Sequence, residues 1–117
     1  DSIIKKVSDY FEIPVGQILG KYRHREFVEA RCIISDLLYR VLNMGYKRIG
    51  RVLGGRDHST IIHNVRRLDD LCFDERYRER YIKLHMDIFG HTKYFVYTTE
   101  HYVKQKEYRR KKVFDVK

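Results

Sequence analysis

Gly54 and Gly55 stand together between two stretches whose apolar residues recur at helical spacing, and this arrangement constrains the fold more than any other feature of the chain. Upstream, Ile49, Val52 and Leu53 give a short helix over 46–53 one inward face. Gly50, in the middle of that stretch, has no side chain, so another helix can approach it closely. Downstream, Ile61, Ile62, Val65, Leu68 and Leu71 predict a helix over 57–71 with one buried face. A short helix, a glycine turn and a second, longer helix form the helix-turn-helix pattern.

The flanking sequence is helical as well. Ile3, Ile4, Val7 and Phe11 share one face of a segment over 2–12, for which Asp1 or Ser2 is a suitable cap. Pro14, the only proline, breaks that pattern, and 15–19 reads as a second short helix closed near Gly20. A longer helix follows over 26–43, with Val28, Ile34, Leu37, Leu38, Val41 and Leu42 as its stripe and Gly45 as its end. Asp36 and Arg40, four residues apart, are expected to pair weakly on the exposed side. Beyond Phe73, Tyr77, Tyr81, Leu84 and Ile88 predict a helix over 74–89 stopped by Gly90. Residues 93–98 read as a short strand or a packed loop. Thr99 is expected to cap a last helix that ends in Arg109-Arg110-Lys111-Lys112.

With 117 residues, 43% of them hydrophobic, the chain can build one compact core. Its formal net charge is +9. The excess lies in both parts, with 13 basic against 9 acidic side chains in residues 1–72 and 12 against 7 in residues 73–117. A basic domain of this size points to a polyanion, nucleic acid first. Cys32 and Cys72 have no metal-ligand spacing and suit a reduced, cytoplasmic protein. No apolar run is long enough to cross a membrane, and no signal peptide is evident at the start. The chain begins with Asp1 and not Met, which suggests that it is cut from something longer.

The chemistry concentrates at Arg56-Asp57-His58-Ser59-Thr60. The second helix of a helix-turn-helix offers its first residues to base edges in the major groove. Asp57 can accept from a cytosine amino group. Ser59 and Thr60 can donate or accept, and the Thr60 methyl can touch a thymine methyl. His58 can donate from one ring nitrogen and accept at the other. Arg56, in the turn, has a phosphate or a guanine in reach. Asp57 is equally well placed as an ordinary N-cap. Arg66 and Arg67 lie on the exposed side of the same helix and suit phosphates; His63 reads as partly buried or phosphate-facing. The loop Lys21-Tyr22-Arg23-His24-Arg25 suits a narrow minor groove, whose potential favours arginine.

From Ile3 to about Leu71 this order of parts resembles the C-terminal DNA-binding domain of the bacterial replication initiator DnaA. The matching features are the helix from Ile4 to Phe11, Arg23 and Arg25 in the basic loop, Ala30-Arg31, Ile49-Gly50, and above all the run from Gly54 to His63. The resemblance implies a mainly α, multi-helix fold of the TrpR and DnaA-domain-IV kind, with a helical or mixed C-terminal extension. It implies that Arg23, Asp57, His58 and Ser59 read bases, that Arg31 and Arg67 meet phosphates, and that Arg56 and Thr60 occupy further contact positions; with the residues read above, Thr60 is expected to join the base readers and Arg25, Arg56 and Arg66 the phosphate contacts. Two departures stand out: Tyr22 replaces a common second basic residue, and Cys32 replaces a frequent glutamine.

The expected organisation is a DNA-binding domain over 1–72 and a basic, tyrosine-rich extension over 73–117. That extension either packs on the domain or mediates association with a second copy or another protein. The expected function is sequence-specific binding of double-stranded DNA at DnaA-box-like sites, in replication initiation or its regulation. The alternative is a transcriptional regulator or interaction module on the same scaffold. The sequence contains no Gly-x-x-x-x-Gly-Lys-Ser/Thr loop, so no nucleotide is expected in this chain. With the extension, this suggests a standalone protein of phage or mobile-element origin. No enzyme is expected, and no cofactor: Asp57, His58, His63 and Cys72 match no standard metal spacing.

Overall fold

A computed structural model describes the backbone of residues 2–115 and the side chains of residues 2–108. Asp1, named above as a cap, and the side chains of Arg109, Arg110, Lys111 and Lys112 lie outside the described residues. Among the described residues seven helices follow one another: α1 Ser2–Phe11, α2 Val15–Leu19, α3 Arg25–Val41, α4 Tyr46–Val52, α5 His58–Leu71, α6 Glu75–Phe89 and α7 Thr99–Asp115. There is no strand among the described residues, so the fold is all-helical. Residues 93–98 form a loop that packs Tyr97, 1% exposed, into the core.

The bundle is built around α3. Every residue from Ala30 to Leu38 is buried, because α1, α2, α4 and α5 cover it from several sides. Ile34, Leu37 and Leu38 form the centre of its stripe as expected, joined by Phe27, Ala30 and Ile33. The stripe does not run to its expected end, since Leu42 is 49% exposed. Asn43, not Gly45, turns the chain: it has a left-handed φ of 51°, and the Met44 N–H folds back to the Leu38 carbonyl at 3.2 Å. Gly45 instead opens α4 as its N-cap.

The Asp36–Arg40 pair needs a larger correction. The two groups lie 3.4 Å apart, but Asp36 is 1% exposed and not on a solvated face. Its carboxylate accepts the Tyr81 hydroxyl at 2.7 Å and the Tyr97 hydroxyl at 2.6 Å. Burial pushes the Asp36 carboxyl up, and the tyrosines and Arg40 pull it back. A buried carboxylate is tolerated where several donors satisfy it. Here those donors come from α6 and from the loop after it, so the chain beyond Phe73 is fastened to the central helix through a polar joint.

Around that joint lie Tyr81, Leu84, Tyr97 and Tyr102, which belong to the same apolar core as α1 to α5. Asp74 caps α6 by accepting from the Arg76 N–H at 2.9 Å, and Gly90 ends it with a left-handed φ of 75°. Thr98 caps α7, not Thr99: its hydroxyl accepts from the His101 N–H at 3.2 Å. That helix is docked on Asp69 of α5, whose backbone carbonyl takes the Tyr102 hydroxyl while its carboxylate faces His101 and Gln105.

Candidate nucleic-acid interface

The turn between α4 and α5 is set by glycine at three points. Gly54 and Gly55 have φ of +81° and +80°, the left-handed region that side chains resist. A Cβ on Gly50 would sit 2.0 Å from the Arg56 carbonyl oxygen. The close neighbour of Gly50 is therefore the turn itself, not another helix as expected. Two bonds depend on that approach: the Gly50 carbonyl accepts from Gly55 N–H at 3.0 Å and from Arg56 N–H at 2.8 Å. Gly54 is equally crowded on its other side, since a Cβ there would lie 2.2 Å from the Leu19 carbonyl oxygen of α2.

Asp57 then caps α5. Oδ1 accepts from the His58 N–H at 2.9 Å and lies 3.1 Å from His58 Nδ1, while Oδ2 accepts the Ser59 hydroxyl at 2.6 Å. The Ser59 hydroxyl and then the His58 ring hold the Asp57 carboxyl below the usual carboxylate range. Asp57, His58, Ser59 and Thr60 are all exposed at one end of a single helix. The fold thus gathers these four residues on one accessible turn, and Asp57 is a cap whatever else it does. His63 is exposed, not partly buried, as are Arg66 and Arg67 farther along α5.

Arg23 lies exposed in the loop over 21–24, and Arg25 is the first, exposed residue of α3. The two remaining arginines, Arg31 and Arg56, point inward. Arg31 is 6% exposed; its Nε donates to the Ile18 carbonyl at 2.6 Å and its guanidinium also reaches the Gln17 and Gly20 carbonyls at 3.2 and 3.0 Å. Arg56, half-buried, donates to the carbonyls of Leu19 at 3.2 Å, Leu53 and Gly20. Each thus makes three bonds to backbone carbonyls out of the five donors of a guanidinium, so Arg31 and Arg56 have a structural part whatever else they do.

Three further cations lie before the run from Gly54 to His63, and no motif in the sequence singles them out. Lys47, Arg48 and Arg51 are exposed on α4. A signal for them exists: from Leu37 to Arg56 the chain has five basic residues and no acidic one. Among the described residues no group of three or more His, Cys, Asp and Glu side chains is arranged to hold a metal ion. Burial pushes the Cys32 and Cys72 thiols up to about 11 and about 12, so neither is a thiolate near neutral pH. No described helix is long and apolar enough to cross a membrane.

Residues 1–68 match the family described as the bacterial dnaA protein helix-turn-helix. The chain is 37% identical over 71 residues to the chromosomal replication initiator protein DnaA of Ruegeria pomeroyi, an alignment that covers 61% of this chain and 15% of that protein. The DnaA of Dechloromonas aromatica is 37% identical over 75 residues, covering 64% and 16%. That of Herpetosiphon aurantiacus is 34% identical over 91 residues, covering 77% and 19%. The chain thus spans less than a fifth of the length of these curated relatives.

Proposed function

The chain belongs to the family of bacterial DnaA helix-turn-helix domains, and on that premise we propose that it binds double-stranded DNA sequence-specifically, at DnaA-box-like sites. The relatives' name carries the initiation of chromosome replication, and the proposed setting is that initiation or its regulation. The observation that supports this most is the exposed first turn of α5, where Asp57, His58, Ser59 and Thr60 stand together beyond a glycine turn that cannot be filled. In the major groove these residues read base edges, and Asp57 reads while it caps.

The loop over 21–24 supplies the second contact. The Gly20 carbonyl is bonded by Arg56, the residue immediately before Asp57. Arg23 is three residues from Gly20, a reach of about 10 Å at full extension. Arginine from this loop enters the adjoining minor groove while α5 occupies the major groove. Arg25, Arg66 and Arg67, with Lys47, Arg48 and Arg51 on α4, meet the phosphates on either side; the first helix of such a motif crosses the backbone. On this reading residues 1–72 carry the DNA interface, and Tyr81, Tyr97, His101, Tyr102 and Gln105 of the extension over 73–117 brace α3 and α5 through Asp36 and Asp69. The chain takes part in no catalytic step and uses no cofactor.

The test is a titration of labelled duplexes with the wild type, Arg23→Ala and His58→Ala. Arg23→Ala is expected to weaken binding to all sites that share a narrow minor groove. His58→Ala is expected to cost about 5- to 150-fold at the preferred site and to narrow the gap between that site and its single-base variants. Unchanged binding in both variants would end this reading.

A further inference from the structure

Arg31 and Arg56 bond the same short stretch of backbone, and both reach the Gly20 carbonyl. Between them they bond the carbonyls of Gln17, Ile18, Leu19 and Gly20, the residues that lead directly into the basic loop. Arg56 also bonds the Leu53 carbonyl, at the end of α4. Gly54 packs against the same place, with the Leu19 carbonyl where its Cβ would be. One junction therefore joins the start of the loop, the central helix and the turn that aims α5.

This is a costly way to obtain stability. Two guanidinium groups of like charge sit side by side, Arg31 buried and Arg56 half-buried, and among the described residues each is held by carbonyls and not by a carboxylate. Burying charge in this way adds little net stability, and its best-supported use is to fix one arrangement among several. Planar forks with several donors suit that purpose, because each can grip carbonyls of two elements at once; a lysine ammonium cannot reproduce the fork.

We infer that Arg31 and Arg56 are positioning residues that fix the distance between the minor-groove loop and the major-groove helix, and so fix how many base pairs separate the two contacts. The inference rests on the DNA-binding reading above. It makes both arginines specificity-determining through the loop and the helix they hold.

The test uses the full chain and a set of duplexes in which the segment under α5 is constant. An A·T-rich segment under the loop is shifted by one or two base pairs either way. The wild type is expected to prefer one spacing by about tenfold over its neighbours. In Arg56→Lys and Arg31→Lys that preference is expected to fall below about threefold, while the response to base changes under α5 persists. A glycine inserted between Gly20 and Lys21 loosens the loop without touching either arginine and is expected to flatten the profile in the same way. Melting curves by circular dichroism confirm that each variant is folded at the assay temperature, and the inserted chain carries the test if the lysine variants are not. A spacing profile that keeps its shape in the folded variants, with affinity uniformly lowered or unchanged, overturns the inference. A wild type that binds no duplex overturns the DNA-binding reading instead.

Discussion

Replacing Gly50 by alanine separates the effect of helix propensity in this domain from the effect of packing. By propensity alone, alanine in the middle of α4 should stabilise the chain by about 1 kcal/mol. The structure predicts the opposite. The new Cβ would sit 2.0 Å from the Arg56 carbonyl oxygen, a full ångström inside the 3.0 Å that such contacts keep. The obstacle is backbone, so no side chain can swing away. The turn must retreat by about that ångström, which takes the Gly55 and Arg56 N–H groups off the Gly50 carbonyl. Breaking two backbone bonds costs about 2 kcal/mol, and overpacking adds about 2 more. With the propensity gain subtracted, the net destabilisation is about 3 kcal/mol. Urea unfolding followed by circular dichroism measures it directly. Because the retreat moves the start of α5, binding to the preferred duplex should also fall by more than tenfold under conditions where the variant is folded. An alanine variant as stable as the wild type would refute the seating of the turn against α4.

Two further outcomes are expected. His85 is fully buried among the rings of Tyr81, Phe89 and Phe95, neither ring nitrogen has a hydrogen-bond partner among the described residues, and burial, with a smaller effect of His91, lowers its pKa to about 4. Its unfolded value is about 6.5, so protonation favours the unfolded chain: the neutral ring's contribution is whole above pH 6.5 and disappears as the pH falls towards 4, to the extent of roughly 3 kcal/mol. Denaturation across that window should show a slope that His85→Phe reduces, and an identical slope in the variant would contradict the assignment. On the binding side, replacing Lys47, Arg48 and Arg51 by alanine should lessen the salt dependence of binding by about 0.9 in logarithmic slope for each phosphate no longer neutralised, with the order of preferred sites unchanged. Titrations between low and moderate salt check this, and an unaltered slope would remove α4 from the interface.

Much of the fold can be read from the sequence because its signals are local. The spacing of Ile61, Val65 and Leu68, the glycine pair at 54–55 and the capping aspartate at 57 each act within a few residues of themselves. What escapes such a reading depends on distant partners. Asp36 looks like half of a surface pair because Arg40 is four residues away, whereas Tyr81 and Tyr97, which decide its surroundings, are 45 and 61 residues away. The phosphate contact expected of Arg31 rests on the family resemblance and that of Arg56 on its place in the turn; neither shows their bonds to backbone. Their carbonyl partners lie up to 37 residues off and have no side-chain signature. The burial of His85 has a sequence signal, since it falls one turn after Tyr81 on an inward face. Its lack of a hydrogen-bond partner has none. The candidate site is legible in the same uneven way: the α5 residues form one recognisable run, while the cations of α4 show only as a stretch without acids.

Selection of bound duplexes from a random pool by the full chain tests most directly whether this protein reads DNA through two linked contacts. Recovery of one motif is expected, a base-specific core for the first turn of α5 next to an A·T-rich stretch for the Arg23 loop, at a constant spacing. A pool that stays random after repeated selection, while the protein remains folded, would contradict it.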